Sequence, residues 1–200
     1  MEDSTLDNTE ANFPEYNILG KELTTFVLQV GFVEGIIDDS KAFDILDEAY
    51  QHIFRNNKEY AIAMWNGIPF KLSYKEDIPF MITGLVRFLW DLQNGEPTSI
   101  FRIKTKNIEF IWTANCTAKM ISINGEFIKV TGNYEKALQS LCMLKMNTHL
   151  FLNEWKLLLE QLLVAMERSG SKLTSKQGQQ ALKHLQNLNE TIVHKGLLYS

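Results

Sequence analysis

The chain reads as an α+β domain, with a mostly antiparallel sheet packed against several amphipathic helices. Three observations predict this. Asn66-Gly67 and Asn124-Gly125 each lie between apolar runs, and Asn-Gly is the composition of a two-residue type I′ hairpin, where both turn residues need positive φ. Between residues 99 and 130, apolar and polar residues alternate in short runs, the period of half-buried strands. Elsewhere leucines and aromatics recur at three- and four-residue steps, the period of a helix with one buried face. Hairpins and short β connections favour an antiparallel sheet over a doubly wound one.

The elements follow in order. Residues 1–16, "MEDSTLDNTEANFPEY", hold little to bury and read as a flexible acidic tail, leaving 17–200 as one domain. "ELTTFVLQVGFVE" alternates as a strand with Phe26, Leu28, Val30 and Phe32 on one face. A helix follows, with Asp38, Asp39 or Ser40 as N-cap and Phe43, Leu46, Tyr50, Ile53 and Phe54 inward. Its outer face carries Asp44, Asp47, Glu48 and Gln51. In "EYAIAMWNGIPFKLSY" a hairpin at Asn66-Gly67 pairs Trp65 with Ile68, Ala63 with Phe70 and Ala61 with Leu72. Pro69 has no N–H to donate, so its strand belongs at an edge or turns that nitrogen outward.

Asp77 and Pro79 start a second helix with Ile78, Met81, Ile82, Leu85, Leu89 and Leu92 buried, and Asn94-Gly95 ends it. The strands "SIFRIK", "NIEFIWTA", "AKMISI" and "EFIKV" come next, the last two joined by a hairpin at Asn124-Gly125. Residues 134–168 place Leu138, Leu141, Leu144, Phe151, Trp155, Leu158, Leu162 and Met166 at helical steps, with a break available at Asn147-Thr148. A last amphipathic helix carries Leu182, Leu185, Leu188 and Ile192.

Composition narrows the function classes. With 200 residues, 45% hydrophobic and 22% charged, the chain can bury a full core without metal or disulfide staples. Two cysteines, Cys116 and Cys142, are too few for a disulfide framework. The start lacks the basic-then-apolar layout of a secretory signal, and no run reaches the roughly 18 apolar residues of a membrane span. A cytosolic protein with no membrane contact is the expectation. The net charge of −4 is uneven, being −9 over residues 1–60 and +5 over 61–200. Acidic residues repel phosphates, which disfavours nucleic acid for the first segment and suits a basic protein partner.

The stretch that most resembles a reactive site is "IEFIWTANC". As a strand it sends Ile108, Phe110, Trp112, Ala114 and Cys116 to one face, so the cysteine goes inward, where burial disfavours the thiolate. A packing role fits Cys116 and Cys142 better than nucleophilic catalysis, and the four histidines fall in helices or at helix ends. No paired-cysteine or His-x₃-His spacing predicts a metal site, and no phosphate loop predicts a cofactor. The acids from Asp38 to Glu48 lack the ligand alternation of a calcium loop. "FRIKTK" puts Arg102, Lys104 and Lys106 at alternate positions, the pattern of a solvated strand face or a small basic patch.

The layout "EDIPFMITGLVRFLWDLQNGEP", "IFRIKTKNIEFIWTA", "KMISING" and "FLNEWKLLLEQLL" resembles small bacterial immunity proteins, which neutralise the toxin domains of contact-dependent and other polymorphic toxin systems. The resemblance implies a cytosolic protein that binds rather than catalyses. On that reading Asp44, Asp47 and Glu48 form an acidic face that docks on a basic toxin domain. An enzyme with scattered residues and a small-ligand or adaptor domain are the alternatives, and oligomeric state stays open.

Overall fold

The computed structural model describes residues 25–56, 58–117 and 119–197, the last five of these as backbone only. The expected acidic tail lies outside the described residues. Among the described residues, three sheets and five helices make up the α+β fold. Strands β1 (Phe26–Gln29), β3 (Tyr60–Trp65) and β4 (Ile68–Ser73) form one antiparallel sheet in the order β1-β3-β4. Strands β5 (Thr98–Lys104), β6 (Glu109–Cys116), β7 (Met120–Lys129) and β8 (Met143–Asn147) form a second antiparallel sheet in sequence order. Two short strands, β2 (Ala42–Phe43) and β9 (Lys172–Leu173), pair in parallel. The helices are α1 (Leu46–Ile53), α2 (Ile78–Asn94), α3 (Glu135–Ser140), α4 (Thr148–Ser169) and α5 (Lys176–Leu197).

The first hairpin forms in the expected register, with Trp65 opposite Ile68, Ala63 opposite Phe70 and Ala61 opposite Leu72. Asn66 and Gly67 take φ of +49° and +84°, as the tight reversal demands. Strand β4 is an edge, which accommodates Pro69. The turn also joins the two sheets. The Asn66 amide donates to the carbonyls of Leu141 (2.8 Å) and Met143 (3.0 Å), and the Trp65 indole donates to Leu141 at 2.8 Å.

The second expected hairpin, at Asn124-Gly125, is overturned. Strand β7 runs unbroken through both residues, pairing Asn124 with Thr113 and Gly125 with Trp112. The chain reverses between Cys116 and Met120 instead, where the Thr117 N–H donates to the Met120 carbonyl at 2.9 Å. Gly125 is needed for space, not for a turn. A Cβ there would stand 2.5 Å from the Phe127 ring and 3.2 Å from the Trp65 indole.

Three boundaries also differ from expectation. Strand β1 stops at Gln29, so Phe26 and Leu28 are buried but Phe32 is 76% exposed. Helix α1 begins at Leu46 with Ile45 at its N-cap, after Phe43 has paired with Leu173 in a strand. Asp38, Asp39 and Ser40 therefore cap nothing. Residues 141–147 leave the helix, placing Cys142 in a connection and Leu144, fully buried, in β8. The open edge of β7 offers that segment a ladder of backbone partners, which outweighs helical spacing in so short a run. Asn147 then starts α4 by accepting from the His149 and Leu150 N–H groups at 2.8 and 3.3 Å.

Helix α2 matches its expected bounds, and Gly95 closes it at φ +77°. Its six expected inward residues are all buried. The buried residues form one cluster shared by both larger sheets and by helices α1 to α5.

Candidate functional site

The three acidic residues expected to face a partner sit near the junction of α1 with α2 and α5. Asp44 is exposed, but its carboxylate accepts from the Thr174 hydroxyl, and its carbonyl accepts from the Ser175 hydroxyl. Asp47 is half-buried and accepts from the Thr83 hydroxyl of α2. Burial pushes its carboxyl above the usual range, against the opposing effect of the Thr83 bonds. Glu48 is exposed. Two of these three carboxylates thus already hold neighbouring elements together. Asp39, upstream of them, bonds His52 at 2.8 Å and pairs with Lys41 at 3.1 Å, and those groups hold its carboxyl low despite the opposing pull of desolvation.

Cys116 lies at the end of β6, half-buried, on the face it shares with Phe110, Trp112 and Ala114. Burial pushes its thiol upward, away from the thiolate a nucleophile needs. His52 is engaged by Asp39, and His184 stacks on Trp90 with ring centroids 4.7 Å apart. In a Cys142→Ser background, Cys116 should react with iodoacetamide at pH 8 at least about threefold more slowly than free cysteine. A rate equal to or above that of free cysteine would contradict the packing role.

No group of three or more His, Cys, Asp or Glu among the described residues could hold a metal ion. No helix among them is long and apolar enough to cross a membrane.

The apolar surface gathers elsewhere. Helix α4 buries Phe151, Trp155, Leu158, Leu162 and Met166, yet it also leaves Leu150, Leu157 and Val164 from 49 to 58% exposed. These three stand seven residues apart, so they form a stripe along one outer face. The segment 30–36 runs beside that stripe. Together they enclose a groove of about 310 Å³ lined by Val30, Phe32, Val33, Ile36, Leu157 and Val164, with Glu160, Gln161 and Arg168 among its polar atoms.

The wall of this groove is pinned from behind. The Glu59 carboxylate accepts from the N–H groups of Glu34 (2.9 Å) and Gly35 (3.1 Å). The Tyr74 hydroxyl reaches the Gly31 carbonyl at 3.4 Å and donates to Gln161 of α4 at 2.8 Å. Glu154 accepts from the Leu28 N–H at 3.1 Å, tying α4 to β1. Glu160 and Arg168 both line the groove, and the exposed acids Glu34 and Asp38 flank its 30–36 wall in sequence. Helical spacing in α4 identifies its buried face, and the second, seven-residue stripe is the sequence signal that marks its outer one. Phe32 carries no such signal, because alternation alone does not say where a strand stops.

The fold and these surfaces define an α+β protein with an apolar surface groove. Compared with known proteins, the chain matches no family model, no curated protein and no solved structure.

Proposed function

We propose that the protein works by binding a basic protein segment in the groove between residues 30–36 and α4. The exposed apolar residues Phe32, Leu157 and Val164, which line the groove together, carry this reading, since clustered apolar surface kept in water marks a contact site more often than it serves the fold. The occupant's charge follows from Glu160 in the groove and the exposed Glu34 and Asp38 close by in sequence, set against Arg168. A segment with apolar side chains at helical spacing and lysine or arginine between them would fill the floor and satisfy those acids. Inhibition of a basic toxin domain, the activity implied by the resemblance to immunity proteins, is one form of this function. Glu48 and the other exposed acids would add to the attraction during encounter, while Asp44 and Asp47 remain committed within the fold.

The test pairs identification with a surface variant. A partner recovered with the tagged chain should bind the purified protein in one defined stoichiometry, with an association rate that falls as salt rises. Phe32 and Leu157 are exposed, so the double variant Phe32→Ser, Leu157→Ser should keep its thermal midpoint and lose at least about tenfold in affinity, roughly 1.4 kcal/mol. Unchanged affinity in that variant would remove the groove from the contact.

A further inference from the structure

A second cleft lies away from the apolar groove, between the β4–α2 turn and the β5–β6 turn. It encloses about 660 Å³ and is lined by Gln51, Lys75, Glu76, Phe80 and the 104–106 stretch. That volume falls in the range of roughly 300–1,000 Å³ typical of small-molecule sites. We propose that this cleft binds a phosphorylated small molecule carrying a flat ring, of the nucleoside phosphate class, with Lys75, Lys104 and Lys106 on the phosphates and Phe80 against the ring.

The cations are placed but not used up. Lys75 donates one ammonium proton to the Gln51 carbonyl at 2.7 Å, which leaves two for a ligand. Lys104 pairs with Glu109 at 2.9 Å, but its side chain is 77% exposed, and so open a pair is easily exchanged for a phosphate. The ammonium of Lys106 is exposed and has no ion-pair partner among the described residues. Lys129 donates to the Lys106 carbonyl and so steadies that turn, its charge lying beside the Glu135 carboxylate. The acids at the cleft are Glu76, which accepts from Asn107 at 2.9 Å, Glu109, which is paired with Lys104, and the buried Asp77 behind the wall. Of the groups that line the cleft, three are lysine ammoniums and one, Glu76, is a carboxylate, a local excess of positive charge on a chain whose net charge is −4. A multiply charged phosphate relieves that excess better than a single carboxylate does.

Two features make the cleft a site rather than a chance cluster. Its walls are locked together from below by Asp77, which accepts from the Ser73 N–H at 2.9 Å on one turn and from the Thr105 hydroxyl on the other. The lysines are thus presented from a fixed frame, which lowers the cost of binding. Phe80 is 53% exposed in the first turn of α2 although every other residue from Asp77 to Ile82 is buried. Its ring offers an aromatic face at the cleft wall, suited to stacking on a base.

The full chain would be titrated by calorimetry with ADP and, separately, with pyrophosphate, in low salt without divalent metal. One ADP per chain should bind with a millimolar or lower Kd. Lys106→Glu, an exposed substitution, should weaken both ligands by at least about tenfold. Phe80→Ala should weaken ADP several-fold and leave pyrophosphate unchanged. Failure of ADP to saturate, or indifference to Lys106→Glu, would overturn the site. Equal affinities for ADP and pyrophosphate would overturn the ring component. Tighter binding of a single-stranded oligonucleotide than of ADP would overturn the small-molecule class. None of these outcomes depends on the protein-binding groove.

Discussion

Trp112→Ala should destabilise the fold by about 3–5 kcal/mol. Trp112 is 1% exposed and stands where both larger sheets and two helices meet. Its ring stacks on Phe110 at 4.7 Å and lies 5.1 Å from Trp65, 5.7 Å from Phe101 and 5.8 Å from Phe26. Trp155, Phe88 and Phe151 close the shell at 6.3 to 6.4 Å. Truncation would open a cavity that these rings, each held by its own element, could only partly refill. Trp112→Phe should cost much less, because the Trp112 indole N–H has no hydrogen-bond partner among the described residues and its loss leaves nothing unpaired. Urea denaturation of the three proteins measures both differences. A phenylalanine variant as unstable as the alanine one would show that ring packing is not what makes this position costly to change.

The second large effect belongs to Asp77. Its carboxylate is 1% exposed and accepts from the Ser73 N–H, the Thr105 hydroxyl and the Asn107 amide, the last at 3.4 Å. Asp77→Ala would leave these donors without an acceptor, at roughly 1–3 kcal/mol for each that water cannot reach. It would also free the 104–108 turn, so loss of stability and loss of ligand affinity in the basic cleft should appear together. Burial raises the Asp77 pKa above that of an ordinary aspartate. The bonds from Thr105, Ser73 and Asn107 offset part of this rise, while the neighbouring Glu76 adds to it.

A raised folded-state pKa means that the folded chain holds this proton more tightly than the unfolded chain does. The contribution to stability is then complete below the unfolded value of about 3.9 and is lost as pH rises through the folded value. Asp77→Asn is neutral at every pH and removes that linkage. The stability advantage of the natural protein over Asp77→Asn should therefore be larger at pH 4 than at pH 7, and the shift at Asp47 cancels in the difference. Denaturation at the two pH values reads it directly, and an advantage that grows toward pH 7 would mean the carboxylate is stabilised rather than strained by its burial.

Asp77 also shows how a correct local reading can miss what a residue does. An aspartate before an Ile-Pro helix start reads as an N-cap, and the helix does begin there, yet no side-chain capping bond forms. The carboxylate turns instead toward Thr105 and Asn107, about thirty positions away, partners that no local pattern contains. The acidic set Asp44, Asp47 and Glu48 repeats the lesson. Helical spacing places these residues outward, but Thr174 and Thr83 arrive from α5's approach and from α2 to engage two of them. The lysines of the basic cleft are likewise drawn from two turns some thirty residues apart, so only "FRIKTK" hints at them.

The two Asn-Gly pairs divide what the sequence by itself determined from what only the tertiary structure decided. Local composition was sufficient for the Asn66-Gly67 hairpin, its register, the span of α2 and the antiparallel α+β class, because each depends on backbone preference or on one buried face. The same dipeptide at 124–125 became mid-strand. There, Trp65 and the Phe127 ring crowd the position a side chain would take, and the Cys142 carbonyl accepts the Gly125 N–H at 2.8 Å. Residues 143–147 became a strand for the same reason, since a free sheet edge offered them more hydrogen bonds than a helix end. Backbone conformation is chosen locally only until a distant element competes for the same polar groups and the same space, and that competition exists only after the chain has folded.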